Sequence, residues 1–421
     1  MKLRVFVALL AASLSLSPPT RAAEFAARRG VNIEAWQRWT HRSTFLSPDY
    51  DRSDFPDWRG RIGDAQLAAL RDQGFDFVRL NIDVSPFFWV GEREVAPLLD
   101  GVVAATRRLQ AAGLAVVVDL HVMPEMDDRP DGLHDVLGTD GRKDRLFAAY
   151  VALLGRMAGR LASLPRGRTA LELVNEPDQD WSSHLVLADR WPGQLSALYR
   201  AARKAAPELT LVLSGARSSS IDGLLRLDPK PYAGDERIIW TFHYYEPMAV
   251  THAGQPWEET PARFLTHLPY PADRIDQRAA ERLLAEARRS IDAAIADPAR
   301  RRDLGKGVAK ALDAYRASRA SSRTVADDFA RVSAWARANG VPPARMLLGE
   351  FGVFQDAADP EARIAVLKAI REAAEAAGFS WAVYTAGLSE GRRSFGIMSD
   401  APGLTVEPGV KEALRLDAPH D

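Results

Sequence analysis

Apolar positions along this chain follow two alternating rhythms. Short, nearly unbroken apolar runs recur at 29–33, 75–82, 115–121, 170–177, 210–213, 237–245, 345–351 and 379–384. Most of the gaps between them carry apolar residues at helical spacing. The first helical stretch, through Ala65, Leu67 and Leu70, stops at Gln73-Gly74, and a second, 95–112, stops at Gly113. Further helices are predicted over 146–164, 190–206, 221–227 and 364–377. Alternating strands and helices imply parallel strands covered by helices, and eight strands predict an α/β fold of the closed (β/α)8 type. The runs lack a clean in–out alternation, as strands buried on both faces do.

Three stretches break the rhythm. Residues 38–60 are rich in Ser, Pro and Asp and read as a loop, and a polar loop follows the third strand through Gly141. Between Glu246 and Pro343 the alternation lapses: Trp257, several prolines and Tyr270 come first, then an Ala-, Arg- and Asp-rich segment at 279–319 that reads as two charged helices. No repeat, low-complexity tract or linker marks a second domain. The expectation is one barrel over 24–421, with a loop and helical insertion at about 247–342. The N-terminus has a basic start (Lys2, Arg4), an apolar run from Val5 to Leu16 and small residues at Ala22 and Ala23. That is the pattern of a signal peptide over 1–23, too short to span a bilayer comfortably, and it predicts a secreted or periplasmic protein.

Composition narrows the chemistry. With 47% hydrophobic residues the chain can bury a large core. Lys plus Arg (55) nearly balances Asp plus Glu (56), which leaves no electrostatic footprint for nucleic acid or for a membrane once the signal is removed. There is no cysteine, so disulfides, thiolate nucleophiles and Cys-ligated zinc are excluded. The eight histidines are scattered with no His-Glu-x-x-His pattern, and no metal or organic cofactor is expected.

Functional groups of a parallel barrel sit where its strands end. Here the strand ends supply Arg79, His121, Asn175 with Glu176, His243 with Tyr245, Glu350, and Trp381 in the last strand. Each alone has a bland reading: Asn-Glu-Pro as a turn, Arg79 as a structural ion pair, His121 as a core histidine, Trp381 as core. Six polar strand ends converging on one mouth are costly unless they work together. The set suits glycoside hydrolysis by two carboxylates, one protonated to donate to the leaving oxygen and one ionised to attack the anomeric carbon. Glu176 and Glu350, from strands four and seven, face each other across the mouth. Arg79 would keep Glu350 ionised and Tyr245 would orient it. Asn175 would bind the sugar 2-hydroxyl, and His121 and His243 would hold sugar hydroxyls or Glu176. Trp381 would form an apolar floor. Trp36, Trp39, Trp181 and Trp257, in predicted loops, are candidates for stacking on sugar rings.

In this set and its order, the chain from Arg29-Gly30-Val31-Asn32-Ile33 to Trp381 resembles glycoside hydrolase family 5, the family of many cellulases. The resemblance implies that Glu176 is the acid/base and Glu350 the nucleophile of a retaining endo-β-glycosidase. Its partner would be a polysaccharide or oligosaccharide, most simply a β-1,4-glucan. A β-mannanase or a β-1,3- or β-1,6-glucan hydrolase would share the same set. From another class, a polysaccharide-binding protein on a decayed barrel would keep the mouth without the turnover. Two departures bear on the sugar: Val122 stands where many members have a second histidine, and Val383, Tyr384 and Thr385 follow Trp381 where many have another tryptophan and a carboxylate.

Overall fold

The structure is a computed structural model that describes residues 25, 27–34, 42–50, 52, 62–122, 136–137, 141–177, 184–255, 261–387, 395–398 and 405–417. The expected signal peptide and Trp36, Trp39, Trp181 and Trp257 lie outside these residues. Eight parallel strands close into a barrel in chain order: β1 (Arg29–Glu34), β2 (Phe77–Asp83), β3 (Ala115–His121), β4 (Thr169–Glu172), β5 (Thr210–Ser214), β6 (Ile238–His243), β7 (Met346–Phe351) and β8 (Ser380–Val383). The ring is completed where β1 pairs with β8, Gly30 opposite Ala382. This is the (β/α)8 barrel that the apolar rhythm predicts.

The pleat sorts each strand into two faces. Outward positions such as Val78, Leu80, Val116, Val118, Leu171, Leu211 and Leu348 join the large core between barrel and helices. Each such side chain contributes about 1.5–3 kcal/mol when fully buried. Inward positions near the strand starts form a separate apolar plug of Phe25, Phe77, Ala115, Val117, Ala170, Val212, Leu347 and Ala382. Gly30 makes room for it: a Cβ there would lie 2.3 Å from Cζ of Phe77. One layer higher the inward positions turn polar, with Asn32, Arg79, Asp119 and Glu172 all fully buried.

Helices cover the barrel where the spacing predicts, among them Asp64–Asp72, Glu92–Ala111, Gly141–Leu161, His184–Ala205 and Pro360–Ala376. The last is started by Asp359, whose carboxylate accepts the Ala362 N–H at 2.9 Å, with Pro360 at the first helical position. Among the described residues no helix is long and apolar enough to cross a membrane.

The β6–β7 connection holds the two charged helices expected, Gln277–Ala294 and Pro298–Ser318, capped by Asp276 and Asp297. A third helix, Ser322–Ala338, follows and belongs to the barrel itself. Its Phe329 packs on Phe242 and Tyr244 at 5.5 and 5.3 Å between ring centroids, and its Trp335 packs on Trp240 at 5.8 Å. The stretch outside the barrel plan is therefore shorter than 247–342.

Candidate active site

Arg79 is the hub of the mouth. Its position on β2 points inward two residues above Phe77, and its side chain is wholly buried. The guanidinium grips Glu172 with two N–H groups (Nε to Oε2 2.7 Å, Nη2 to Oε1 2.9 Å). It also donates to Glu350 Oε1 at 2.5 Å, Asn32 Oδ1 at 3.0 Å and Asn175 Oδ1 at 2.8 Å, and lies 3.2 Å from Asp119 Oδ2. One cation thus serves three buried carboxylates. Burial pushes Glu172 up to about 7, against the pull of Arg79. Asp119 is also buried, yet Arg79 and the hydrogen bond with His121 hold it below its ordinary value.

Glu350 reaches this hub through a break in β7. Leu347 faces the barrel interior, so strict alternation would send Glu350 outward. The register with β6 jumps from Phe242–Leu348 to His243–Glu350, and that with β8 from Leu348–Trp381 to Phe351–Val383. This extra residue is a β-bulge, and it re-aims Glu350 into the mouth. Gly349 is what permits it: a Cβ there would sit 2.6 Å from Thr241 Oγ1 and 3.1 Å from His243 Nε2. The second carboxylate oxygen of Glu350 accepts from Tyr245 Oη at 2.9 Å.

β4 breaks its pleat too. Leu173 and Val174 are both buried in the outer core, so the alternation slips and Asn175 returns inside. The strand ends at Glu172, earlier than the run to Pro177 suggests. Glu176 then takes a left-handed backbone (φ 41°), a conformation that costs a non-glycine residue on the order of 1–3 kcal/mol and clusters at functional sites. Its Oε1 lies 2.7 Å from His243 Nδ1. Burial lowers His243 to about 4, so the ring stays neutral near pH 7. His121 sits beside this pair of strands, its Nδ1 2.9 Å from Asp119 and its Nε2 3.1 Å from Asn175 Nδ2. With the Nδ1 proton given to Asp119, Nε2 is free to accept from the Asn175 amide.

One ligand atom each of Glu176, His243 and Glu350 lie within 4.8 Å of one another. This trio is spaced to hold a metal ion, but the Arg79 guanidinium bonded to Glu350 works against a second cation there. The three residues line a cleft of ≈ 660 Å³ that also takes in His121, Tyr245, Tyr384, Phe395 and the turn beginning at Arg217.

The sequence profile described as "Cellulase (glycosyl hydrolase family 5)" matches residues 34–389. The chain belongs to this family. Among curated family relatives, Endoglucanase 3 of Fibrobacter succinogenes is 24% identical over 344 residues, covering 76% of this chain and 45% of its own length. Cellodextrinase A of Ruminococcus flavefaciens is 23% identical, covering 54% of this chain and 61% of its own. The chain thus spans about half to two thirds of the length of these relatives. Among solved structures, Thermotoga maritima Cel5A in complex with cellobiose superposes with a TM-score of 0.60 at 20% identity, over 92% of this chain and 97% of that one.

The structure brings together Arg79, His121, Asn175, Glu176, His243, Tyr245 and Glu350 at the barrel mouth. Trp381 is a correction. Ala382 faces the plug, so Trp381 faces outward, 1% exposed and packed edge-on against Phe351 at 5.8 Å. It cannot form the floor of the mouth. Tyr384 and Phe395 line the cleft instead, their rings 5.7 Å apart. Glu172 and Asp119 were not singled out by sequence reasoning. The signal was there: an ionisable side chain at an inward position of an apolar strand, two residues above a plug residue (Ala170 and Val117).

Proposed function

We propose that this protein is an exported retaining endo-β-glycosidase that hydrolyses a β-1,4-glucan. The observation that carries the reading is the close approach of Glu176 and Glu350, oxygens within 4.8 Å, with Arg79 and Tyr245 bonded to Glu350. Retaining enzymes hold their two carboxyls about 5–5.5 Å apart, whereas inverting ones leave roughly 6.5–9.5 Å for a water. The asymmetry supports a division of roles. Glu350, fixed by a cation and a phenol, attacks the anomeric carbon while Glu176 gives its proton to the departing oxygen. Glu176 then takes a proton from water, and the water oxygen displaces Glu350 from the anomeric carbon. Neutral His243 holds one oxygen of Glu176 and leaves the other for the glycosidic oxygen. Asn175, clamped between Arg79 and His121, is placed to meet the sugar 2-hydroxyl.

The endoglucanase relative and the cellobiose complex of Cel5A favour a β-1,4-glucan. Cel5A has also been solved with mannotriose, which supports β-mannan as the second substrate reading. The test is a panel of purified β-1,4-glucan, mannan, xylan and β-1,3-glucan assayed for reducing ends and product size. Oligosaccharides released first from β-1,4-glucan are expected. Binding without release of reducing sugar from any polymer would turn the reading to a carbohydrate-binding barrel. Export rests on the N-terminal pattern, and a mature N-terminus near residue 24 in the extracellular or periplasmic fraction is the expected result.

A further inference from the structure

The turn after β5 does something the reaction above does not use. Arg217, Ser218 and Ser219 follow one another in left-handed backbone, with φ of 59°, 54° and 54°. Three successive non-glycine residues in that region stay there only when their surroundings fix them. Here the turn is tied on three sides. Ser218 N–H donates to Pro177 O at 2.9 Å, Ser220 N–H to Arg217 O at 3.1 Å, and Ser219 O accepts from His243 N–H at 2.8 Å. Beneath it, Gly215 and Gly223 let the turn lie directly on the short helix Ile221–Leu225: a Cβ at Gly223 would fall 1.7 Å from Ala216 O. The turn therefore joins the β4 end to the β6 end, and Arg217 lines the same cleft as Glu176.

Arg217 lines the cleft, and its Nε is buried without a hydrogen-bond partner among the described residues. The other arginine lining the cleft, Arg331, is committed to Asp222 at 2.7 Å and Asp328 at 3.0 Å. A buried Nε–H with no acceptor is costly, so a strained turn that presents one at the cleft offers a donor to a ligand there. Among the described residues the cleft also carries Glu176, Asp222, Glu246, Asp328 and Glu350, five carboxylates to two guanidinium groups, which disfavours an acidic ligand. A planar fork of N–H donors fits adjacent neutral hydroxyls.

We infer that Arg217 binds vicinal hydroxyls of the sugar that departs, the one whose oxygen receives the proton of Glu176, and so sets specificity on the leaving-group side. This rests on the reading of Glu176 as acid. Two substrates separate the roles: cellopentaose, whose leaving part is sugar, and 4-nitrophenyl β-cellobioside, whose leaving group has no sugar hydroxyls. With R217A, kcat/KM on cellopentaose is expected to fall about 10- to 100-fold, and on the aryl glycoside to stay within about twofold. R217K, which keeps the charge and loses the fork, is expected to resemble R217A. Equal losses on both substrates would make Arg217 a merely structural residue, and no loss on cellopentaose would remove it from the site. If the wild-type chain leaves both substrates intact, the glucanase reading itself fails and the assignment of Arg217 falls with it.

Discussion

At the end of β7, Glu350 has a side chain 5% exposed and accepts from a guanidinium and a phenol, one on each oxygen. At the end of β4, Glu176 has a side chain 21% exposed, stands on a left-handed residue and meets a neutral imidazole. The pleat slips by one residue at both strand ends, turning Glu350 inward at one and Asn175, just before Glu176, at the other, so the difference lies in what receives each glutamate. The proposed nucleophile is held still by neighbours that keep their protons near pH 7: Arg79 is raised well above its ordinary value despite burial, and burial with Glu350 does the same for Tyr245. The proposed acid/base is left closer to solvent beside a partner that burial keeps neutral. The same fold gives two glutamates different surroundings through what each one touches, not through the residue type.

The largest effect expected on this contrast comes from deleting each carboxylate in turn. Glu350→Gly and Glu176→Ala should each lower turnover of a natural β-glucan by about 10⁴-fold. Azide distinguishes them on an activated β-glycoside. In Glu350→Gly it should enter from the face the carboxylate vacated and give the α-glycosyl azide. In Glu176→Ala it should attack the glycosyl-enzyme and give the β-azide. Interchanged anomers, read by NMR, would exchange the two roles.

Removing the shared cation should come next. Arg79→Met leaves Glu172, Asp119 and Glu350 buried with no positive partner. A stability loss of about 3–5 kcal/mol in urea unfolding is expected, together with a drop in kcat larger than that of the surface variant Arg166→Met. Unchanged stability would mean that the three carboxylates are compensated elsewhere.

The smallest effect sharpens the contrast by pH. Glu172 is raised to about 7, so between its unfolded value near 4.5 and pH 7 the native state holds the extra proton and stability falls as pH rises. His243 is lowered to about 4, so between 4 and 6.5 the unfolded state holds the extra proton and stability rises with pH. The two slopes oppose each other over most of the acid range. In Glu172→Gln only the histidine slope remains, and the urea midpoint should climb more steeply from pH 4.5 to 6.5 than in the wild type. Parallel profiles would show that Glu172 does not titrate in that window.

What could be read from the sequence follows the same physics. Apolar runs buried on both faces marked every strand, because neither face of such a strand meets water. Arg79, His121, Glu176, His243 and Glu350 were legible because polar groups ending apolar runs are rare without purpose. Trp381 misled because its neighbour Ala382 carries the inward face, and the period of two then points to Tyr384. Glu172 escaped because it sits inside the run and not at its end. Neither pleat slip could be read at all: a bulge is decided by the register of neighbouring strands, which one segment does not contain. The helix Ser322–Ala338 was hidden behind two charged helices of similar composition.

The apolar plug of Phe77 and Phe25, admitted by the bare backbone at Gly30, gives the mouth the topology of a blind alley. Nothing can be threaded down the barrel axis. Under the proposed function a polymer must therefore be laid crosswise over the rim like a rope over a pulley, and both cut ends would retreat by the side from which the strand arrived.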